Sequence, residues 1–119
     1  MHKLRAQLKS FRYAYHGLAY MVRMEGHARF HCFAALVVIV AGCVTGLSPL
    51  EWGLLTLSIA FVLALEALNT AVETLCDALH PERHDAIGIV KDVAAGAVLV
   101  SAMGSVIIAA LVFLPHWLA

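Results

Sequence analysis

Four polar residues set inside an apolar run define the chemistry open to this chain. Glu66, Asn69, Glu73 and Asp77 all fall in the stretch Leu65–Asp77, LEALNTAVETLCD. On an α-helix, offsets of 0, 3, 7 and 11 residues lie within about 80° of one another, so the four share one face. A carboxylate at membrane depth costs at least ~2.5–3.5 kcal/mol on insertion scales. Acids held on one such face imply a polar site between helices, where a cation or a substrate satisfies them. The alternative, a solvated stripe on a soluble helix, conflicts with the apolar flanks.

The residues that can join this face are Glu25, Arg29, Lys91 and Asp92. Carboxylates together with an amide oxygen suit a hard divalent cation, and Mg²⁺ needs only one or two carboxylates alongside phosphate oxygens. Lys91 supplies charge against phosphate. Glu66 is placed deeper and can accept a proton from a lipid hydroxyl. Positioning and charge neutralisation are most of what phosphoryl transfer demands. The chain has no Walker A sequence and no H-R-D or D-F-G set. Lys91-Asp92 taken alone reads equally as a solvated helix start. Cys76, His80 and His84 have a spacing that zinc can use, but Pro81 interrupts the helix that would align them.

The elements that must position these groups are membrane elements. The 119 residues are 62% hydrophobic and 13% charged, with mean hydropathy +0.87. That composition belongs to an integral membrane protein of one domain, residues 1–119. Acidic and basic residues balance at eight each, yet six of the eight Lys and Arg lie in the first 29 residues. This arm is too long for a signal peptide and its apolar residues are helically spaced. Its charges surround an apolar helix face, unlike a nucleic-acid module. Cys32, Cys43 and Cys76 are odd in number and sit in apolar segments, which points to packing residues and no disulfide.

Residues 3–23 are expected to form an amphipathic helix at the membrane surface, with Leu4, Leu8, Phe11, Tyr15, Leu18 and Val22 on its apolar side. A first span is expected over about 28–47, within which Phe30–Leu47 carries no Asp, Glu, Lys or Arg. Ser48, Pro49 and Glu51 have the types for an N-cap, first position and first turn of the next helix. The second span is expected over about 52–76, with Trp52 as an interfacial anchor. A polar loop Ala78–Gly88 follows, and the third span is expected over about 89–113. Small residues from Ala94 to Ser105 let neighbouring helices approach it closely, and Pro115-His116-Trp117 closes the chain at an interface. The basic arm, Arg83 and Lys91 put the N-terminus, the second loop and the acidic face on the cytoplasmic side.

The run Glu66-x-x-Asn69-Thr70-x-x-Glu73-x-x-x-Asp77, with Lys91-Asp92-Val93-Ala94-Ala95-Gly96-Ala97-Val98 after it, resembles the signature of the small bacterial diacylglycerol kinase and undecaprenol kinase family. The resemblance extends to Ser10-Phe11-Arg12-Tyr13-Ala14 with Gly17, and to Glu25 with Arg29. It implies an all-α integral-membrane homotrimer in the bacterial inner membrane, with a surface helix and three transmembrane helices per subunit. It further implies transfer of the γ-phosphoryl group of ATP to a membrane lipid alcohol, with Mg²⁺. On the same resemblance Glu66 is the general base and contacts the lipid, and Glu25 and Glu73 hold the metal and the nucleotide. Asn69, Lys91 and Asp92 surround the nucleotide phosphates, while Tyr13, Glu82, Arg83 and His84 contact the nucleotide. Two positions depart from the diacylglycerol kinases: Ala6 replaces an arginine, with Arg5 beside it, and Ala95 replaces a serine near the lipid substrate. Those changes, the K-D-V-A-A-G-A-V run and Arg29-Phe30-His31 resemble the undecaprenol kinase branch. Undecaprenol is therefore the expected acceptor, with diacylglycerol second. The trimer also has a physical argument, since three spans cannot enclose ATP, its metal and a lipid headgroup while shielding Glu66 and Glu73 from lipid. From another class, a small cation or proton transporter subunit would also use buried acids, but it has no need of Lys91-Asp92 or the polar loop. A purely structural membrane subunit leaves those acids unexplained.

Overall fold

The computed structural model describes residues 1–119 as four helices: α1 His2–Met24, α2 Gly26–Thr45, α3 Pro49–Leu79 and α4 Asp85–Leu118. The last three are long and apolar enough to cross a membrane. Glu25 separates α1 from α2 in an extended conformation, φ −113° and ψ 114°. Arg29 ties the two ends together: its Nη1 donates to the carbonyls of Val22 and Arg23, each at 2.9 Å. Those carbonyls are among the last-turn acceptors that a helix leaves unpaired. A residue that the sequence grouped with the acidic site is thus occupied as a helix cap.

α2 ends earlier than expected, at Thr45, because Gly46 takes a left-handed conformation (φ 79°) and its N–H closes back on Gly42. That is the glycine-terminated helix end that the missing Cβ permits. The Ser48 expectation holds in full. Glu51 N donates to Ser48 Oγ at 3.2 Å, Ser48 N donates to Glu51 Oε1 at 3.0 Å, and Pro49 opens α3. This reciprocal capping box satisfies two otherwise orphaned donors.

The second and third spans run past both expected ends. Helix α3 has 31 residues and α4 has 34, about 46 and 51 Å at 1.5 Å per residue, against a ~30 Å hydrocarbon core. The loop between them shrinks to His80–His84. His84 ends it by accepting the Ala86 N–H on Nδ1 at 3.1 Å, so α4 begins at Asp85 and places Lys91 inside the helix. Pro115 does not stop α4. So near the end it removes one backbone bond, and the final turn is held from outside. His116 Nε2 lies 2.8 Å from Glu51 Oε2, and Trp117 Nε1 donates to Thr45 Oγ1 at 3.0 Å.

α3 and α4 form the most extensive pair, with α2 against α3 and, less, α4. Leu55, Val112 and Phe113 form the buried apolar cluster at the Trp117 end. Serines knit the α3–α4 seam: Ser105 Oγ donates to Ser101 O at 2.9 Å and approaches Ser58 O at 3.4 Å. The chain is antiparallel throughout α2–α4. The α1–α2 junction and the His80–His84 loop therefore share one end, and the Gly46–Ser48 turn and Trp117 share the other.

Candidate active site

The four face residues of α3 form a gradient from the protein interior to its surface. Glu66 is 1% exposed and Asn69 7%, Glu73 is half-buried, and Asp77 is exposed. Over the same eleven residues the helix rises about 16 Å. The shared face expected from spacing is therefore real, with Glu66 at its deep end.

At that deep end two oxygens are without partners. Glu66 Oε2 and Asn69 Oδ1 are buried and accept no hydrogen bond. Buried polar atoms are almost always satisfied, and an unsatisfied one costs about 1–3 kcal/mol, more when charged. Two such atoms, one helical turn apart on one face, mark a place built to receive a donor or a cation. The nearest basic group to Glu66 is His31 on α2, whose Nε2 stands 3.6 Å from Oε2. That separation is too long for a direct hydrogen bond. Sequence reasoning did not assign His31 a site role. It is one of two histidines in α2, with His27, and nothing in its own spacing reveals which span faces it.

One turn nearer the surface, the Glu73 carboxyl lies near Glu25, from the α1–α2 junction, and near Asn69. Lys91 of α4 is close enough to act on Glu73 and is ion-paired with Asp77, Nζ to Oδ1. Helix α3 thus brings Glu25, Glu66, Asn69, Glu73, Asp77 and Lys91 into one seam. No group of three or more His, Cys, Asp or Glu side chains converges as a self-sufficient metal site. Of the zinc candidates in sequence, His80 and His84 lie with ring centroids 4.9 Å apart and planes tilted by 57°, and Cys76 is buried in α3.

The remaining residues singled out by sequence stand apart from the seam within one chain. Tyr13 is 71% exposed on α1. Glu82 and Arg83 are exposed in the loop, and His84 is engaged in capping α4. Asp92 and Ala95 are exposed on α4.

An apolar cavity of about 260 Å³ runs between α2, α3 and α4 toward the Trp117 end. Ala34, Val38, Leu55, Val62 and Ala109 are among its lining residues. His31 also lines it, and so joins the cavity to Glu66.

Residues 12–113 match the family described as prokaryotic diacylglycerol kinase. The chain is 41% identical over 107 residues to an undecaprenol kinase of Bacillus subtilis, covering 90% of this chain and 87% of that protein. It is 37% identical over 113 residues to a diacylglycerol kinase of Synechocystis, covering 94% of this chain and 65% of that protein. It is 34% identical over 94 residues to a diacylglycerol kinase of Haemophilus influenzae, covering 79% and 80% of the two chains.

Proposed function

Because this chain belongs to the prokaryotic diacylglycerol kinase family, and is therefore a multi-pass membrane lipid kinase, we propose that it transfers the γ-phosphoryl group of ATP to undecaprenol. Diacylglycerol is the second acceptor. The observation that carries this reading is the pair of unsatisfied buried oxygens, Glu66 Oε2 and Asn69 Oδ1, at the membrane end of an acidic face. Preference for undecaprenol is supported by the 41% identity to a protein of that name and by Ala95 in place of a hydroxyl. Kinase membership displaces the cation-transporter reading of the same acids.

The chain's residues divide the work by depth. Glu66, buried beside the apolar cavity, accepts the proton of the lipid hydroxyl as its oxygen forms a bond to the γ-phosphorus. The bond from that phosphorus to the bridging oxygen breaks, and its electron pair leaves with ADP. Glu25 and Glu73 lie near each other and would fit Mg²⁺, since neighbouring carboxylates repel unless a cation or a shared proton lies between them and this ion takes its other ligands from phosphate and water. Bound there, Mg²⁺ would neutralise phosphate charge. Lys91 neutralises phosphate charge with Asn69 and Asp92 beside the phosphates, and Tyr13, Glu82, Arg83 and His84 contact the nucleotide.

Several of these residues are exposed in one chain, which supports a site completed across the interfaces of a homotrimer. The basic residues of α1, with Leu4, Leu8, Phe11 and Leu18 exposed beside them, support a helix lying on the cytoplasmic membrane surface. The excess of Lys and Arg at that end supports a cytoplasmic N-terminus and active site in the bacterial inner membrane.

The test is the fate of labelled γ-phosphate with purified protein in lipid bilayers. Label is expected in a lipid monophosphate, and Glu73→Gln is expected to abolish Mg²⁺-dependent transfer while oligomeric state is unchanged. Full activity of Glu73→Gln at low Mg²⁺ would remove the metal assignment. Label recovered only in inorganic phosphate would contradict a lipid kinase.

A further inference from the structure

Residues 1–24 contain no Asp or Glu, so all eight acids of the chain lie beyond α1. Within α1, Arg5, Lys9, Arg12, His16 and Arg23 stand at offsets of 0, 4, 7, 11 and 18 residues. At 100° per residue they fall inside one stripe about 60° wide and about 27 Å long. All five are exposed, and none joins an ion pair within the chain. The other two sides of α1 are accounted for. The apolar row of Leu4, Leu8, Phe11, Tyr15, Leu18 and Val22 is centred about 110° from the stripe. Gly17 and Met21 border a groove against α3, and they lie about 130° from the stripe in the opposite sense. The stripe therefore points away from the bundle and from the seam that holds Glu66 and Glu73.

Resting on the placement of α1 at the cytoplasmic membrane surface, we infer that this stripe is a binding surface for anionic phospholipid headgroups. With the apolar row among the acyl chains, the stripe comes level with the headgroups. Its Lys and Arg stems lie along apolar surface and carry their charges to lipid phosphate. Charges repeated in steps of one or two turns over about 27 Å match an array of headgroups and exceed one compact nucleotide. A zwitterionic lipid brings its own cation to the same phosphate, whereas an anionic lipid leaves its charge for the stripe. Each basic residue near an anionic surface is worth about fivefold in affinity. The contact fixes the rotation of α1 about its axis, and so the side that it turns to α3.

The test uses the full-length protein in phosphatidylcholine bilayers with a trace of phosphatidylglycerol or phosphatidylcholine that carries a photoactivatable group high on one acyl chain. Adducts are assigned to helices by peptide mass mapping, and those on the apolar middle of α4 normalise the yield. In the wild type at low salt, α1 is expected to take about fivefold more adduct from phosphatidylglycerol than from phosphatidylcholine. The excess is expected to fall to within about twofold at about 1 M salt. It is expected to fall equally when Arg5→Gln, Lys9→Gln, Arg12→Gln and Arg23→Gln are combined. Lys3→Gln, about 150° from the stripe, is expected to keep it. Equal adducts on wild-type α1 from the two lipids overturn the proposal and leave α1 on the surface, as does an excess that survives in the quadruple variant. If that variant keeps the excess but loses its oligomer or raises its KM for ATP, the stripe belongs to a second copy or to the nucleotide. No adduct on α1 from either lipid removes the surface placement together with the proposal. The readout needs no turnover, so none of these results bears on the kinase reading.

Discussion

Glu66 is where burial and chemistry meet in a single side chain. A packing residue at that depth would be expected to find a partner on a neighbouring helix, yet Oε2 has none within the chain. Positioned proton transfer contributes roughly 10²–10⁴-fold to a rate. Glu66→Gln keeps size and hydrogen bonding but cannot take the proton. Its kcat is expected to fall by that order with nucleotide affinity little changed, measured as turnover and ATP binding on one preparation. An intact oligomer that binds ATP and turns over at the wild-type rate would rule Glu66 out as the base. Asn69 and Glu73 continue the same face toward water, so on the proposed reading loss of Glu73 is expected to act on the metal and the phosphates and to leave the lipid end in place.

Among the elements, the α2–α3 corner sets how the site-bearing helix enters the bundle. A Cβ at Gly42 would stand 2.6 Å from Trp52 Cη2 and 3.0 Å from Leu47 Cδ1. An indole has no flexible end to withdraw, so Gly42→Ala must displace Trp52 or part the helices. Overpacking of this kind costs about 1–3 kcal/mol. A lower thermal midpoint than wild type is expected for Gly42→Ala, with Gly53→Ala, which meets nothing within 4 Å, close to wild type. Equal midpoints for the two variants would show that the corner is not tightly packed. This corner was partly legible in sequence, because the Ser48-Pro49-Glu51 cap is a local pattern and local patterns survive folding. The acidic face was legible for the same reason, being a matter of helical phase. The helix ends were not. His84 capping α4, Arg29 capping α1, and Glu51 with Thr45 holding the turn beyond Pro115 each depend on where a side chain lands after folding. The His31–Glu66 approach was invisible for a stronger reason: it joins two helices whose relative rotation no one-dimensional pattern specifies.

The whole chain buries only 14 of its 119 residues and leaves Leu36, Leu57, Phe61, Val100 and Ile107 exposed along its spans. Such a surface suits hydrocarbon, or other copies of the same chain, and cannot be a water-soluble exterior. The length of α3 and α4 beyond the ~30 Å core lets Asp77 and Lys91 pair outside the apolar layer while Glu66 stays within it. A water-borne nucleotide and a membrane-borne alcohol can then meet on one helix face, about one turn on either side of Asn69. The most direct test of this account presents undecaprenol and diacylglycerol together, in one bilayer, to the wild-type protein with Mg²⁺ and labelled ATP. The ratio of the two labelled products at early times gives the ratio of kcat/KM for the two acceptors. The account predicts undecaprenyl phosphate in excess, and both products lost in Glu66→Gln. Phosphatidic acid in excess, or either product formed at the wild-type rate by Glu66→Gln, would contradict it.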